Sequence, residues 1–434
     1  MIRKISIKNF KSYKSAEMPL STLTFFIGAN ASGKRNALEA IRLLSRLAKG
    51  TRLDDIERSV NGADSLMRGQ PVNLFRDKGM GLVIGCEMEG NIDDWNQLTL
   101  QISLIDDHLI ITDEYVSKVY DTIPLYRVDS QPNPLTDEIS IMYNNFKRGG
   151  NKPHIPCSNR QAIFYQLDTP ARFEKNHEES QKVIPAVVKK IRSALRTVVF
   201  LDPQPATMRG YSYYKDNEMK ENGSNLSSVL HNICQDRVLK KELLEFVRSL
   251  PEQDITNIDF IVTDRNDVMV VLIESFGNKE IPMDAPVLSD GTLRVLAVGA
   301  TLLSAPEGSL VIIEEIDNGV HPSRAESLVL QIKKISKARS LRVLLTTHNP
   351  ALIDALPDDS LGDVLCCYRD PDEGDSRIVR LGDLDRYPEL VAQGPLGQLM
   401  TKRVLDRFLK DKSTSEERKK AALDWLDDLE KRVS

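Results

Sequence analysis

Cysteine is scarce in this sequence, and its spacing matches no metal-binding or disulfide pattern. The five cysteines are spread over the chain without a C-x-x-C spacing: Cys86, Cys157, Cys234, Cys366 and Cys367. Zinc sites and disulfide frameworks need closely and regularly spaced cysteines. We therefore expect neither, and we expect reduced thiols, as in a cytosolic protein.

Long hydrophobic runs are also absent. No stretch reaches the roughly 18 apolar residues of a membrane span. The first ten residues, MIRKISIKNF, lack the apolar centre of a secretory signal. These absences predict a cytoplasmic protein without a membrane partner.

Positive charge is not in excess either, since the net charge is −5. General attraction to nucleic acid is thereby excluded, although a local basic patch is not. The composition, 41% apolar and 28% charged, is that of an ordinary soluble protein. A length of 434 residues exceeds the roughly 250–300 residues of a single core, so we expect two or three lobes.

Clustered nucleophiles and metal ligands are absent as well. The six histidines are scattered: His108, His154, His177, His231, His321 and His348. Nuclease chemistry needs a convergent set of such groups. We expect the chain by itself to cut neither DNA nor RNA.

A glycine-rich loop is the strongest positive feature. Residues 28–36, GANASGKRN, place Gly28, Gly33 and Lys34 at the G-x-x-x-x-G-K spacing of a phosphate-binding loop. An apolar strand pattern precedes the loop (LTFFIG, 23–28), and a helical pattern follows it up to Gly50. A loop between a strand and a helix N-terminus binds phosphate. The predicted nucleotide-binding residues are Gly28, Asn30, Ser32, Gly33, Lys34, Arg35 and Asn36.

Arg35 breaks the pattern of this loop. A Ser or Thr normally follows the lysine and supplies a hydroxyl ligand to Mg²⁺. Arginine removes that ligand and puts a fixed cation in its place. The sequence leaves three explanations open: the guanidinium neutralises phosphate and slows turnover, it swings outward and water replaces it, or the residue is an introduced change. In each case we predict an ATP binder with weakened or conditional hydrolysis.

An acidic pair follows a second apolar run, LVII (310–313). Glu314 and Glu315 would lie at the carboxyl end of a strand, where open α/β sheets bind ligands. Glu314 is the candidate Mg²⁺ ligand, and Glu315 is the candidate base for the attacking water. The alternative is a pair of solvated charges at a strand end.

Two further segments support the same chemistry. LSDGT (288–292) puts Ser289 and Gly291 at the start of a predicted helix, where an anion can bind, or where serine is a simple cap. TTHNP (346–350) puts His348 after another apolar strand. His348 is the candidate sensor of the γ-phosphate; the alternative is a structural histidine.

Strand and helix patterns predict an α/β chain with a mainly parallel core sheet, a β-rich subdomain, an inserted helical region and a C-terminal helical extension. Prolines between residues 130 and 180 indicate long loops there. From Ser413 an amphipathic helix is expected to pack on the body or on a partner. The predicted divisions are 1–80, 81–200, 201–284, 285–382 and 383–434.

Taken together and in this order, the four motifs resemble the ATP-binding cassette superfamily, and more narrowly the soluble ATPases related to RecF, the SMC proteins and the OLD nucleases. Residues 26–44 correspond to Walker A, 288–303 to the signature, 310–322 to Walker B and 344–356 to the switch histidine segment. Ala31, Glu314 and Ile316 stand where Gly, Asp and Pro are usual. No long heptad region is present, so no coiled-coil arm is expected.

The resemblance implies a composite site, in which Ser289 and Gly291 of a second copy close over ATP bound by the first. It also implies that the chain is the ATPase half of a bacterial antiviral (abortive-infection) system, whose separately encoded effector is a nuclease or toxin. The alternative is a RecF-like ATPase that clamps duplex DNA. A transporter motor ranks last, because LSDGT lacks the glutamine usual in transporters and the middle segment is too long.

Overall fold

The computed structural model describes residues 1–59, 70–120, 123–131, 136–147, 149, 151–248, 254–277, 279–316 and 325–411. The strands are β1 Ile2–Phe10, β2 Tyr13–Pro19, β3 Leu23–Gly28, β4 Leu82–Met88, β5 Gln97–Ile105, β6 His108–Ser117, β7 Tyr126–Val128, β8 Glu138–Tyr143, β9 His154–Ser158, β10 Val199–Leu201, β11 Ser212–Tyr213, β12 Ile255–Val262, β13 Asp267–Phe276, β14 Lys279–Asp284, β15 Leu310–Ile313, β16 Arg342–Thr346, β17 Leu365–Arg369 and β18 Ser376–Arg380. The helices are α1 Lys34–Ala48, α2 Leu53–Ser59, α3 Ile163–Gln166, α4 Glu178–Arg196, α5 Pro205–Met208, α6 Leu226–Cys234, α7 Arg237–Arg248, α8 Asp290–Ser304, α9 Ala325–Ala338, α10 Pro350–Asp354, α11 Asp358–Leu361, α12 Tyr387–Val391, α13 Leu396–Thr401 and α14 Val404–Lys410.

A six-stranded sheet in the order β10-β15-β16-β3-β17-β18 forms the central layer. All of its neighbouring strands run parallel except β17 and β18. Its inner strands are buried on both faces: Phe26 of β3 belongs to one hydrophobic core, and Phe25 and Ile27 belong to the other. Burial on both faces is what produces the continuous apolar runs seen in the sequence. The predicted, mainly parallel core sheet is confirmed.

Helix α1 covers one face of this sheet and follows the glycine loop directly. Its apolar residues recur at helical spacing, and Leu38, Ile41, Leu44 and Leu47 are all buried. The helix ends before Gly50, which adopts φ 90°, a left-handed conformation that glycine adopts readily. The predicted strand, loop and helix are therefore all present.

An eight-stranded antiparallel sheet lies beside the parallel one, in the order β2-β1-β4-β5-β6-β7-β8-β9. It takes its first two strands from before residue 81. The prediction of long loops across residues 130–180 is wrong, because β8 and β9 belong to this sheet. Ile139, Ile141 and Tyr143 alternate inward along β8 and are buried. Pro156 is tolerated in β9 because that strand lies at the sheet edge, where an N–H donor is not needed.

A smaller antiparallel sheet forms a third layer. Its central strand, β13, pairs with β12 and β14, and the short β11 pairs with the first residues of β13. Helices α6, α7 and α8 pack in the same hydrophobic core. Helix α8 is buried around most of its circumference. This arrangement fixes the N-terminus of α8, and with it Ser289, relative to the parallel sheet.

The C-terminal part described by the structure consists of short helices, α12 to α14, whose Leu390, Leu399 and Leu405 join the core. The amphipathic segment from Ser413 and the loop that holds His321 lie outside the described residues. Across the part of the chain that is described, each helix is too short or too polar to cross a lipid bilayer. The predicted α/β class with a β-rich subdomain is confirmed.

Candidate nucleotide-binding site

Several segments meet at one edge of the parallel sheet. Because β3, β10, β15, β16 and β17 are parallel, their carboxyl ends all open on the same side. The glycine loop follows β3, the acidic pair follows β15, and His348 follows β16. They surround an open, polar pocket of about 490 Å³, lined in part by Asn30, Ser32, Gly33, Lys34, Arg35, Asn36, Glu314, Glu315 and His348.

Within the loop, the lysine is held over main-chain oxygens. Lys34 donates from Nζ to the carbonyl of Gly28 at 2.6 Å and to that of Ala29 at 3.1 Å. Burial lowers the pKa of Lys34. Ala31 adopts φ 61°, a left-handed conformation that costs a non-glycine residue roughly 1 kcal/mol. A phosphate would offer Lys34 a stronger, charge-assisted partner than these carbonyls.

The loop rests on the turn between β1 and β2 and on β18. Tyr13 donates its hydroxyl to the carbonyl of Gly33 at 3.0 Å. Ser376 donates to the carbonyl of Ser32 at 2.5 Å. Asn36 donates to the hydroxyl of Ser12 at 2.7 Å. These contacts fix the loop backbone before any ligand arrives, which is the preorganisation that a binding site needs.

Arg35 extends across the pocket to the acidic pair. Its Nη2 lies 3.6 Å from Oε1 of Glu315, and the two side chains are 55% and 41% exposed. An ion pair as exposed as this contributes at most about 1 kcal/mol. The guanidinium is therefore held near the expected phosphate position, yet it can be released to a stronger anion.

Glu314 is engaged by a second guanidinium. Arg42, two turns along α1, donates from Nη2 to Oε1 of Glu314 at 3.0 Å and from Nη1 to Oε2 of Glu221 at 2.5 Å. The guanidinium also lies 4.2 Å from the ring centre of Phe200. Burial raises the pKa of Glu314, and Arg42 opposes that rise. Nothing in the sequence assigns Arg42 a role, because 272 positions separate it from Glu314.

The position of Glu315 is fixed by its backbone conformation and by a backbone hydrogen bond. It adopts φ 49°, a left-handed conformation, and its N–H donates to Oγ1 of Thr346 at 3.0 Å. Strained backbone of this kind costs of order 1–3 kcal/mol and is concentrated at functional sites. The link ties the end of β15 to the end of β16, so Glu315 and His348 are positioned together.

Two charged residues at the same edge are absent from the sequence prediction of the site. Asp202 follows β10, and burial together with repulsion from Glu315 and Glu221 raises the pKa of Asp202. Arg369 ends β17 and lines the pocket, donating from Nε to the carbonyl of Ala31 at 3.2 Å. The acidic pair is identified because its charges follow an apolar strand directly. The same pattern would identify Asp202 and Arg369.

The signature residues lie elsewhere in the same chain. Neither Ser289 nor Gly291 is among the described residues that line the pocket. Ser289 caps α8, where its hydroxyl accepts from the N–H of Thr292 at 3.1 Å. The structure thus brings the glycine loop, the acidic pair and His348 together, and leaves the signature apart from them.

The residues at the two positions expected to hold Mg²⁺, Arg35 and Glu314, do not fit a bound ion. The ion prefers hard oxygen ligands in octahedral geometry. At the position of the usual hydroxyl stands Arg35, and the expected carboxylate ligand, Glu314, accepts from Arg42. A guanidinium has five N–H donors and no acceptor, so it cannot coordinate a metal. The assignment of Glu314 as the metal ligand stays a prediction; in the structure its carboxylate accepts from Arg42.

The sequence matches a known protein family over more than half of its length. Residues 100–354 fit the family described as "AAA domain, putative AbiEii toxin, Type IV TA system". No curated protein is similar enough to the chain to be a significant match.

Solved structures similar in fold include SMC head domains. An SMC head bound to the C-terminal winged-helix domain of ScpA has 13% identity and a TM-score of 0.47, covering 87% of this chain and 96% of its own. The SMC head of Thermotoga maritima has 13% identity and a TM-score of 0.41, with 87% and 98% covered. A head from Pyrococcus furiosus with an extended coiled coil, bound to the C-terminal domain of ScpA, has 13% identity and a TM-score of 0.41, with 87% and 95% covered.

Proposed function

The chain belongs to the AAA domain family of putative AbiEii toxins of type IV toxin–antitoxin systems, and from this premise we propose that it is an ATP-gated regulator of a separately encoded effector. By family it is an ABC/AAA-type ATPase. In the proposed cycle, ATP joins two copies, and hydrolysis or release of the nucleotide separates them. The effector, a nuclease or toxin, is held by one state and released by the other.

The observation that carries the proposal is the convergence of the glycine loop, the acidic pair and His348 on one pocket. Lys34 and the loop N–H groups would bind the phosphates, and the N-terminus of α1 adds its dipole. Glu315 would orient and deprotonate the attacking water, and His348 would contact the γ-phosphate. Arg35, which stands in place of the hydroxyl that usually binds Mg²⁺, supports slow turnover.

Exposure around Ser289 supports pairing with a second copy. Ser289 is exposed at the N-terminus of α8, and the neighbouring Val287 is an apolar side chain that is 63% exposed. The N-terminus of a helix attracts anions. We propose that this tip closes over the γ-phosphate bound by the other copy, and that Val287 becomes buried there.

The β-rich segment is the proposed effector surface that the structure describes. Val119, Tyr120 and Ile123 lie between β6 and β7, and Tyr120 is 79% exposed. Exposed apolar groups close together are typical of protein contacts. The second proposed surface, the segment from Ser413, lies outside the described residues. The match to a toxin–antitoxin family supports a role in anti-phage defence.

Co-expression with the product of the neighbouring gene tests this function. We expect the two proteins to purify as one complex, and the chain alone to leave growth and nucleic acids unharmed. The Lys34→Ala variant should keep the complex intact in buffer without ATP and lose its response to ATP. Deletion of residues 413–434 should release the effector while ATP binding persists.

Two outcomes would contradict the proposal. Cleavage of nucleic acid by the purified chain, lost in Glu315→Gln, would make the protein a nuclease itself. Binding of duplex DNA that weakens steeply with salt, and that requires ATP, would favour the RecF-like clamp instead.

A further inference from the structure

We propose that this chain binds its nucleotide without a divalent cation, and that the guanidinium of Arg35 takes the place of the metal. The inference rests on the proposed nucleotide binding at the glycine loop. It concerns the means by which the pocket neutralises the phosphates, which neither the family nor its description states for this chain.

Arg35 stands where a metal-binding hydroxyl is usual. It is the second residue of α1, directly after Lys34, and its side chain lines the pocket. The usual residue at this point reaches the metal that bridges the outer phosphates. A guanidinium at the same point carries a permanent positive charge and a planar fork of donors that matches phosphate oxygens. It can therefore satisfy the phosphates directly.

Both carboxylates that line the pocket, Glu314 and Glu315, already have guanidinium partners. Arg42 and Glu314 are 3.0 Å apart, and their side chains are 18% and 13% exposed. Arg42 also donates to Glu221, so the two carboxylates hold its guanidinium between them. A metal at Glu314 would have to displace Arg42 from that contact. Arg35 pairs with Glu315 much more loosely: Nη2 and Oε1 are 3.6 Å apart and both side chains are exposed. A phosphate can therefore replace Glu315 as the partner of Arg35.

The balance of charge in the pocket agrees with binding of the free nucleotide. Lys34, Arg35 and Arg369 all line the pocket, and each is a cation. Unchelated ATP carries roughly three to four negative charges, depending on pH. Three convergent cations supply about the charge that one lysine and a divalent ion supply in a conventional site.

Titration calorimetry with ATP, with and without metal, tests the inference. One buffer contains EDTA and no divalent cation, and the other contains excess Mg²⁺. For the wild-type chain we expect dissociation constants within about threefold of each other. Arg35→Ser should weaken binding in EDTA at least tenfold and make it respond to Mg²⁺. Arg46→Ser is the matched control, since Arg46 is exposed near the other end of the same helix.

The outcomes separate this inference from the proposed function. Wild-type binding that occurs only with Mg²⁺ overturns the inference and leaves ATP binding standing. A failure to bind in both buffers, with the fold intact by circular dichroism, overturns the proposed function and the inference with it. Equal losses in EDTA for Arg35→Ser and Arg46→Ser would show a general charge effect, and would also overturn the role of Arg35.

Discussion

The guanidinium of Arg35 lies 3.6 Å from the carboxylate of Glu315. The residue that replaces a metal-binding hydroxyl thus contacts the residue expected to activate water. In the proposed function Arg35 would have two successive partners: the carboxylate of Glu315 before ATP binds, and the phosphates afterwards. A slow ATPase that holds its nucleotide for a long time is suited to a switch, in which the bound state is the signal.

Replacing Arg35 by serine tests this link. Arg35→Ser restores a hydroxyl to the loop and releases Glu315 from its ion pair. We expect Mg²⁺-dependent ATP turnover to rise at least severalfold, measured as phosphate release with excess Mg²⁺. A wild-type enzyme that is already fast, and that slows on this change, would contradict the account. Arg35→Lys keeps the charge without the planar fork and should stay slow.

Lys34 is the residue on which we expect nucleotide binding to depend most. Lys34→Ala removes a charge-assisted contact to phosphate, which is worth about 2 kcal/mol or more of binding free energy. Calorimetry should show a correspondingly weaker dissociation constant for ATP. Lys49→Ala, at the C-terminal end of α1, is the matched control and should bind normally. Unchanged affinity in Lys34→Ala would remove the loop from the binding site.

Gly33 is required by the shape of the loop. It adopts φ 121°, and an added Cβ would overlap the side chain of Ser376. For Gly33→Ala we expect a loss of about 1–3 kcal/mol in the free energy of unfolding, together with weaker ATP binding. Gly210→Ala is the control, because a Cβ there meets no atom within 4 Å. Comparable denaturation curves for the two variants would show that the loop tolerates a side chain.

Stability should depend on pH through Glu114, which is buried in the β-rich sheet. Burial raises its pKa to about 7, although Tyr126 and the N–H groups of Ile163 and Phe164 donate to it. In the unfolded chain the carboxyl has the ordinary glutamate pKa of 4.5. Its contribution to stability is therefore complete below that pH and is lost as pH rises through about 7.

The measurement is the free energy of unfolding of the wild type and Glu114→Gln at several pH values. The wild type should lose on the order of 3 kcal/mol relative to the variant between pH 4.5 and about 8. Glutamine cannot ionise, so the variant lacks this dependence. A wild type that gains stability relative to the variant over the same range would mean that the three donors outweigh burial.

Local patterns in the sequence predict the centre of the fold well. The run LTFFIG, the glycine loop and the apolar spacing of α1 are each encoded within a few residues, and all three are present. The acidic pair and His348 follow apolar runs that form adjacent strands. The strands within residues 138–158 escape prediction because prolines lie in the segments around β8 and one proline, Pro156, lies within β9, where the edge position tolerates it.

Contacts between distant segments cannot be predicted in the same way. Nothing near Arg42 indicates that it meets Glu314, because only the packing of α1 against the sheet edge brings them together. Arg35 and Glu315 are a second example. The motifs identify each residue separately, but they do not predict that the two side chains are in contact. The sequence identifies the groups at the site, and their partners decide the chemistry available to them.

The central claim, that ATP is bound between two copies of this chain, is tested most directly by the mass of Glu315→Gln with ATP. Glutamine keeps the shape of the side chain and removes the candidate base, so the ATP-bound state should accumulate. Light scattering of the purified variant should give twice the 48.8 kDa mass of one chain with ATP, and a single-chain mass without it. Adding Ser289→Arg to the same variant should abolish the dimer while each copy still binds ATP. A Glu315→Gln protein that binds ATP and stays at 48.8 kDa would contradict the composite site.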